Sequence, residues 1–322
     1  MSDEATSPAP LAEGRRIEAL DVARGVALIA MAIFHFTWDL DNFGYVARGL
    51  AGQGGWRVFA RCIASSFLVL VGISLVLAHA KAIRWRPFLL RLLQVAAGAA
   101  AITAVTFFVT PESFVFFGIL HQIAVASLLG LLVLRLPWFA TAFAAAVVIA
   151  LPLAIQSTAM DPKWLAWIGF AAKAPVTNDF VPIFPWFGAV LAGMALAHLG
   201  RRTGALDRLR DANPALARLR PLAFLGRHSL AFYLLHQPLL YGLVFLATQV
   251  VPPDRARILE DECRRNAYFG AATAAMCPRF AGCAASRLEA AGLLEAAIQN
   301  RTTPDESREV QTIASLCAQQ AE

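Results

Sequence analysis

The sequence predicts an all-α, polytopic helical membrane protein of about seven transmembrane helices, with a cytoplasmic N-terminus and a small helical, disulfide-bearing periplasmic tail. Three observations predict it. Hydrophobic residues make up 58% of the 322-residue chain and charged residues only 16%, a balance that few soluble domains show. Apolar segments can be drawn at 20–40, 58–80, 88–109, 116–134, 139–156, 182–199 and 229–251, most of them near the ~20 residues that a span needs. Lys and Arg then favour alternate connections: fifteen lie on one side, among them Arg16, Arg84, Arg91 and Arg227, and five on the other, which are Arg48, Arg57, Arg61, Lys163 and Lys173. That bias puts the N-terminus inside, and an odd number of spans puts the tail outside. The expected location is a bacterial inner (plasma) membrane, crossed several times. The domain division expected from composition is a segment 1–19, a transmembrane domain 20–251 and a tail 252–322.

The first span carries the richest chemistry. Arg24 and His35 are eleven residues apart in Leu20–Asp39, within about 20° of three full turns, so they share a face. Asp39 follows His35 by one turn on the same stripe. Ionisable groups inside a span are costly and so pair, line a cavity or carry function. The bland reading is a buried ion network; the sharper one is a cation near the inner surface and an acid–base group in the outer half. The second span opens at Arg61. The fourth runs outside to inside and places His121, in Phe117-Gly-Ile-Leu-His121, in the outer half with His35 and Asp39. The fifth and sixth segments are the shortest as drawn. The loop 157–181 holds Trp164, Trp167 and Phe170, a lid over the site or an anchor in the headgroups. Pro182, Pro185 and Trp186 open the sixth span, and Gly188 and Gly193 permit close helix approach. His79, His198 and His228 fall at the inner boundary and read as interfacial. His236 and Gln237 precede Pro238 in the last span, where their side chains can satisfy carbonyls freed by the proline. His236 is grouped with Arg24 on the cofactor side.

The tail holds four of the five cysteines, Cys263, Cys277, Cys283 and Cys317. An even count on the oxidising side predicts two disulfides, with three pairings open. No CxxC spacing occurs and no histidine lies beyond His236, so no metal is expected. Thr303-Pro-Asp-Glu306 is a capping box that should start a final helix to about 320, preceded by a helix over about 285–300.

No Walker loop, dinucleotide fingerprint, zincin motif or nucleophile elbow occurs. The net charge of +6 belongs to topology-setting loops and predicts no nucleic-acid partner.

Arg24, ten intervening residues and His35 resemble the Arg–His signature of the type-3 membrane acyltransferases. The phrases Leu20-Asp-Val-Ala-Arg-Gly25, Phe117-Gly-Ile-Leu-His121, Phe184-Pro-Trp-Phe187 and Ser229-Leu-Ala-Phe-Tyr-Leu-Leu-His-Gln-Pro238 resemble a narrower group. That group is the catalytic domain of heparan-alpha-glucosaminide N-acetyltransferase with its small bacterial relatives, and the likeness runs over about 15–250. The resemblance implies acetyl transfer across the membrane, from cytosolic acetyl-CoA to a sugar amine or hydroxyl of an extracytoplasmic glycan or amino sugar. It implies His35 as general base or transient acyl carrier, Asp39 as its orienting acid, and His121 or Arg61 at the oxyanion. Arg24 and the cytoplasmic arginines would hold the CoA phosphates. The chain departs from the pattern in one place: the loop 41–57 carries no histidine, where the heparan enzyme has the one credited with catalysis. The catalytic role therefore falls on His35 through the type-3 pattern, and heparan is not the expected acceptor. The lipid bilayer is the expected surroundings, and a homo-oligomer is compatible with the sequence. Two other classes compete: a proton-coupled transporter with a His35/Asp39 relay, and a non-catalytic membrane scaffold whose tail binds a partner. No internal repeat of the transporter kind is evident.

Overall fold

The computed structural model describes residues 16–47, 49–212, 218–298 and 302–321. Arg15, Arg48 and the ends of the expected segments at 213–217 and 299–301 lie outside them. Among the described residues the chain forms α-helices and no strand; two isolated bridges, Phe117 to Phe180 and Ser157 to Ala171, are the extended pairings. The helices are α1 (Glu18–Phe43), α2 (Gly54–Ala78), α3 (Trp85–Val109), α4 (Ile119–Val133), α5 (Trp138–Ala154), α6 (Lys163–Ala166), α7 (Ile183–Arg202), α8 (Ala205–Asp211), α9 (Arg220–Arg227), α10 (Ser229–Val250), α11 (Arg255–Arg265), α12 (Thr273–Ala290), α13 (Leu294–Ile298) and α14 (Pro304–Ala321). Five of them, α1, α2, α3, α7 and α10, are long and apolar enough to cross a membrane, and α4 and α5 are apolar but shorter. All seven expected segments are thus helices. The short ones are the fourth and fifth, at 15 and 17 residues, rather than the fifth and sixth. Large apolar side chains face outward, including Phe108, Leu132, Leu153 and Val250, each at least 81% exposed. This is what lipid, not water, would cover.

The chain divides into two compact units, one of residues up to Met31 with Arg61–Leu235, the other of Ala32–Ala60 with His236–Glu322.

In the first unit the core lies between α2 and α7, around Leu68, Val76, Val190, Leu191 and Met194. Two glycines make that approach. A Cβ on Gly72 would stand 2.0 Å from the Val190 carbonyl oxygen, and one on Gly193 would stand 2.1 Å from that of Val69. Helices in a bilayer gain their association from such backbone contact, so both positions need glycine.

The shortness of α4 has a local cause. Phe114–Gly118, expected to be partly helical, is drawn into a ladder with the loop before α7. Ser113 O accepts from Asn178 N at 2.8 Å and Phe117 O accepts from Val181 N at 3.1 Å. Asp179 then caps α4, its Oδ2 accepting from Ile119 N at 2.9 Å. Gly118 is required there, because a Cβ would meet that oxygen at 2.2 Å. Burial pushes the Asp179 carboxyl up to about 6, against the opposing pull of hydrogen bonds from Ile119 and the Tyr233 hydroxyl. Lys163 holds the same region from α6, its ammonium 4.7 Å from the Phe114 ring centre.

In the second unit the loop after α1 is fixed by Asp41, which accepts from Gly49 N at 2.8 Å and Ala51 N at 3.1 Å. Tyr45 Oη donates to Val251 O at 2.6 Å. The tail packs around Ile258, Leu288, Leu293, Leu294 and Ile298. Its Ile258 reaches Gly44 so closely that a Cβ there would lie 2.2 Å away. The two disulfides are Cys263–Cys277, joining α11 to α12, and Cys283–Cys317, joining α12 to α14. The capping box forms: Thr303 N donates to Glu306 Oε2 at 2.7 Å and Glu306 N to Thr303 Oγ1 at 3.3 Å. The helix expected over 285–300 is instead α12, which starts at Thr273, and α13. Gly292, at φ +70°, breaks the pair. The helix α11 was not anticipated; its signal is Asp254, whose carboxylate accepts from Ala256 N and Arg257 N.

Candidate active site

In the first unit α1 and α9 meet through a second glycine pair. A Cβ on Gly25 would lie 2.2 Å from Leu222 O, and one on Gly226 would lie 1.9 Å from Asp21 O. This contact seals Asp21, which is 1% exposed. A buried carboxylate needs cations, and two arrive. Arg16 Nε lies 2.5 Å and Arg24 Nη1 2.8 Å from its oxygens. Arg24 Nη2 donates to Ser74 Oγ on α2, and Ser74 in turn donates to Leu70 O at 2.5 Å. Arg24 is therefore oriented by two helices at once.

Arg24 lines a cavity of about 390 Å³. Arg16, Arg84, Arg91 and Arg227 line it too, with Ser74, Ser127, Ser229 and Tyr233, over an apolar floor that includes Leu28, Phe88, Val95 and Leu120. Arg84, Arg91 and Arg227 form no ion pair among the described residues. Of the five guanidinium groups lining the cavity, Arg16 and Arg24 pair with Asp21. A long ligand with phosphates at one end and an apolar arm would satisfy both the cations and the floor.

In the second unit α1 and α10 bring together His35, Asp39, His236 and Gln237. The two imidazoles meet edge to face, with ring centres 5.0 Å apart. Asp39 is fully inaccessible, and its Oδ1 accepts from Gln237 Nε2 at 2.8 Å. The Gln237 amide therefore reaches across to α1 instead of turning back on the carbonyls near Pro238. Asp39 hydrogen-bonds Gln237 and not His35. Buried polar atoms that make no hydrogen bond cluster here, among them His35 Nδ1, Asp39 Oδ2 and Gln237 Oε1. Leaving each such atom unpaired costs about 1–3 kcal/mol. Their grouping marks a place where a polar ligand group or proton carrier would be held. Two imidazoles beside a carboxylate in a water-poor setting can take up and pass on a proton.

His121 lies in the first unit and is fully occupied. Its Nδ1 accepts from Gly118 N at 3.2 Å, so the neutral ring carries its proton on Nε2, which faces Thr103 Oγ1 at 3.2 Å. The Thr103 hydroxyl donates onward to Val115 O at 2.7 Å. His121 thus closes the start of α4. Arg61 is exposed at the beginning of the first unit's share of α2. His236, grouped with Arg24 by the sequence reading, is not among the arginine cavity's lining residues and packs on His35 instead. His228 donates from Nδ1 to Phe224 O at 2.9 Å and packs tilted against that ring.

Sequence reasoning missed Asp21 and Ser74, and gave Gln237 only a structural role beside Pro238. Asp21 had a signal, since it precedes Arg24 by three residues on the same helix face. Ser74 and Gln237 act from other helices and carried none. Among the described residues no group of three or more His, Cys, Asp or Glu could hold a metal ion.

No curated protein and no solved structure matches the chain. A family profile does, over residues 16–238, more than two thirds of the sequence, and it takes in Arg24, His35, Asp39, His121, His236 and Gln237. The described helices, the arginine-lined cavity and this match together place the chain in the acetyltransferase family described as heparan-alpha-glucosaminide N-acetyltransferase, catalytic.

Proposed function

We propose that the protein is an acetyl-CoA-dependent enzyme of a bacterial inner membrane that moves an acetyl group from the cytosolic donor to a sugar amine or hydroxyl of an extracytoplasmic glycan. The observation that carries this reading is the cavity lined by Arg16, Arg24, Arg84, Arg91 and Arg227, of which the last three form no ion pair among the described residues. Such an excess of cation suits the phosphates of CoA, and the apolar floor suits its pantetheine arm. Arg24 would contact phosphate, with Asp21 and Ser74 holding its plane. The N-terminus and the arginine cavity belong to the cytoplasmic side.

His35 would be the general base. As the acceptor nitrogen or oxygen bonds to the acetyl carbonyl carbon, its proton passes to His35; the carbon–sulfur bond then breaks and the thiolate leaves as CoA, taking a proton. His236, against the His35 ring, would share that proton. Asp39 would stabilise the resulting imidazolium through space while Gln237 holds its carboxylate in place. His121 would keep the α4 turn in place rather than touch the oxyanion. The tail, over 252–322, would be a separate stapled module on the oxidising side.

The test is acetyl transfer by the purified protein to a pool of amino sugars and envelope glycans. Arg91→Gln should raise the donor KM about tenfold and leave kcat near wild type, since one charge-assisted contact to phosphate contributes about 1.5–3 kcal/mol. Absence of saturable acetyl-CoA binding to the wild-type protein would overturn the reading and bring forward the proton-relay transporter.

A further inference from the structure

A second cavity, of about 240 Å³, lies in the first unit where the α2–α3 connection meets the end of α4 and the last turn of α7. Its polar lining is His79, Lys81, Arg135, His198 and Arg201, with no carboxylate among the lining residues. Three helix C-termini converge on it, each contributing roughly half a negative charge. Against them stand Arg135 and Arg201, which form no ion pair among the described residues and suit an anion.

The two imidazoles add the more specific sign. His79 is 8% exposed, and its Nδ1 lies 2.9 Å from Leu75 O. A carbonyl only accepts, so Nδ1 carries the proton and Nε2 of the neutral ring is a bare lone pair. That Nε2 is buried without a hydrogen bond. His198 hydrogen-bonds the Leu134 carbonyl, and its Nε2 is also buried and unpartnered. Two buried imidazole nitrogens at one small cation-lined cavity are poorly suited to an apolar occupant. They suit an anion that brings a proton with it, turning each Nε2 from acceptor into donor.

We propose that this pocket binds a phosphate monoester group, held by Arg135 and Arg201 and by His79 and His198 in their protonated forms. Binding then takes up protons and tightens as pH falls. His79 lines both this pocket and the arginine cavity. The group therefore has two sources: the 3′-phosphate of a CoA donor seated in the larger cavity, which rests on the function proposed above, or a separate phosphate, free or on a lipid headgroup.

The experiment measures binding to the full-length protein in detergent by calorimetry, with CoA, dephospho-CoA, inorganic phosphate and phosphatidic acid as probes. If the donor supplies the phosphate, CoA binds at least tenfold tighter than dephospho-CoA, and Arg201→Gln and Arg135→Gln each remove the difference. If the phosphate is separate, CoA and dephospho-CoA bind alike, while inorganic phosphate or phosphatidic acid binds wild type saturably and the variants at least tenfold more weakly. In either case binding takes up protons, seen as a dependence of the heat on buffer ionisation, and His79→Gln reduces the uptake. Arg201→Lys, which keeps the charge, should recover part of the affinity and separates a lost contact from a lost fold. Equal binding of CoA and dephospho-CoA, with no saturable binding of phosphate or phosphatidic acid to wild type, overturns the proposal. Failure of both CoA and dephospho-CoA to bind, with phosphate still binding, would instead sink the acetyl-CoA reading and leave this pocket standing.

Discussion

Asp21 and Asp39 lie on the same helix, eighteen residues apart, and both are almost wholly inaccessible, at 1% and 0% exposure. Their surroundings differ in kind. Asp21 is gripped by two arginines, Arg16 and Arg24, so its charge is matched. Asp39 has one neutral amide, Gln237, and an oxygen with no partner. Removing one member of a matched buried pair is destabilising because it strands the other. A buried acid held only by one amide, with an oxygen left unpaired, is costly to folding. The contrast sets two surroundings on one helix: Asp21 holds Arg16 and Arg24, whereas Asp39 is held by Gln237 in the second unit.

The largest effect should fall on the chemical end. His35→Ala is expected to lower acetyl transfer by about 10²–10⁴-fold, the usual contribution of a general base, with donor binding retained. Asp39→Asn keeps an acceptor for Gln237 and loses the charge. It should lower kcat by roughly 10²-fold while leaving the thermal midpoint near wild type, because the hydrogen bond from Gln237 is kept. A fall in the midpoint with activity intact would erase the distinction between the two aspartates. At the other end, Asp21→Asn should reverse the pattern: a loss of about 2 kcal/mol in stability, tempered by the partial exposure of both arginines, and a raised donor KM with kcat preserved.

Smaller effects test the framework around both groups. Replacing Cys263 and Cys277 by Ser opens a loop with a separation of 14 residues. The expected cost to the tail is about 3 kcal/mol, read as a lower midpoint for the tail's unfolding transition. The last test concerns Asp179, whose folded value is raised to about 6. A carboxylate raised in the fold binds its proton more tightly there than in the unfolded chain, where it titrates near ~4. Its contribution to stability is full below that lower value and is lost as pH rises through about 6. Asp179→Asn should flatten the slope of the melting temperature between those two values; an unchanged slope would mean that another group sets it.

Much of this was legible in the sequence, and the parts that were not share a cause. Segments, disulfide number and the Thr303–Glu306 cap could be read because hydropathy, cysteine parity and capping spacing are local patterns. The one-turn spacing puts Asp39 on the His35 stripe, and the resemblance implies it as the orienting acid. The actual partner of Asp39, Gln237, comes from a helix 198 residues later, which no local pattern encodes. His121 looked like a free acid–base group from its depth, yet its two nitrogens are engaged by Gly118 and Thr103, an arrangement set by the Asp179 ladder rather than by α4 itself. The arginine cavity was half visible: the basic residues were assigned to one side, but the close approach of α1 and α9 at Gly25 and Gly226, which seals Asp21 with Arg16 and Arg24, has no local signal.

The most direct test of the central claim is acetyl-CoA turnover by purified wild-type protein beside His35→Ala, with donor affinity measured on both. The account predicts equal donor affinity and transfer lost in the variant alone. Transfer at the wild-type rate in His35→Ala would contradict it and move the chemistry off α1.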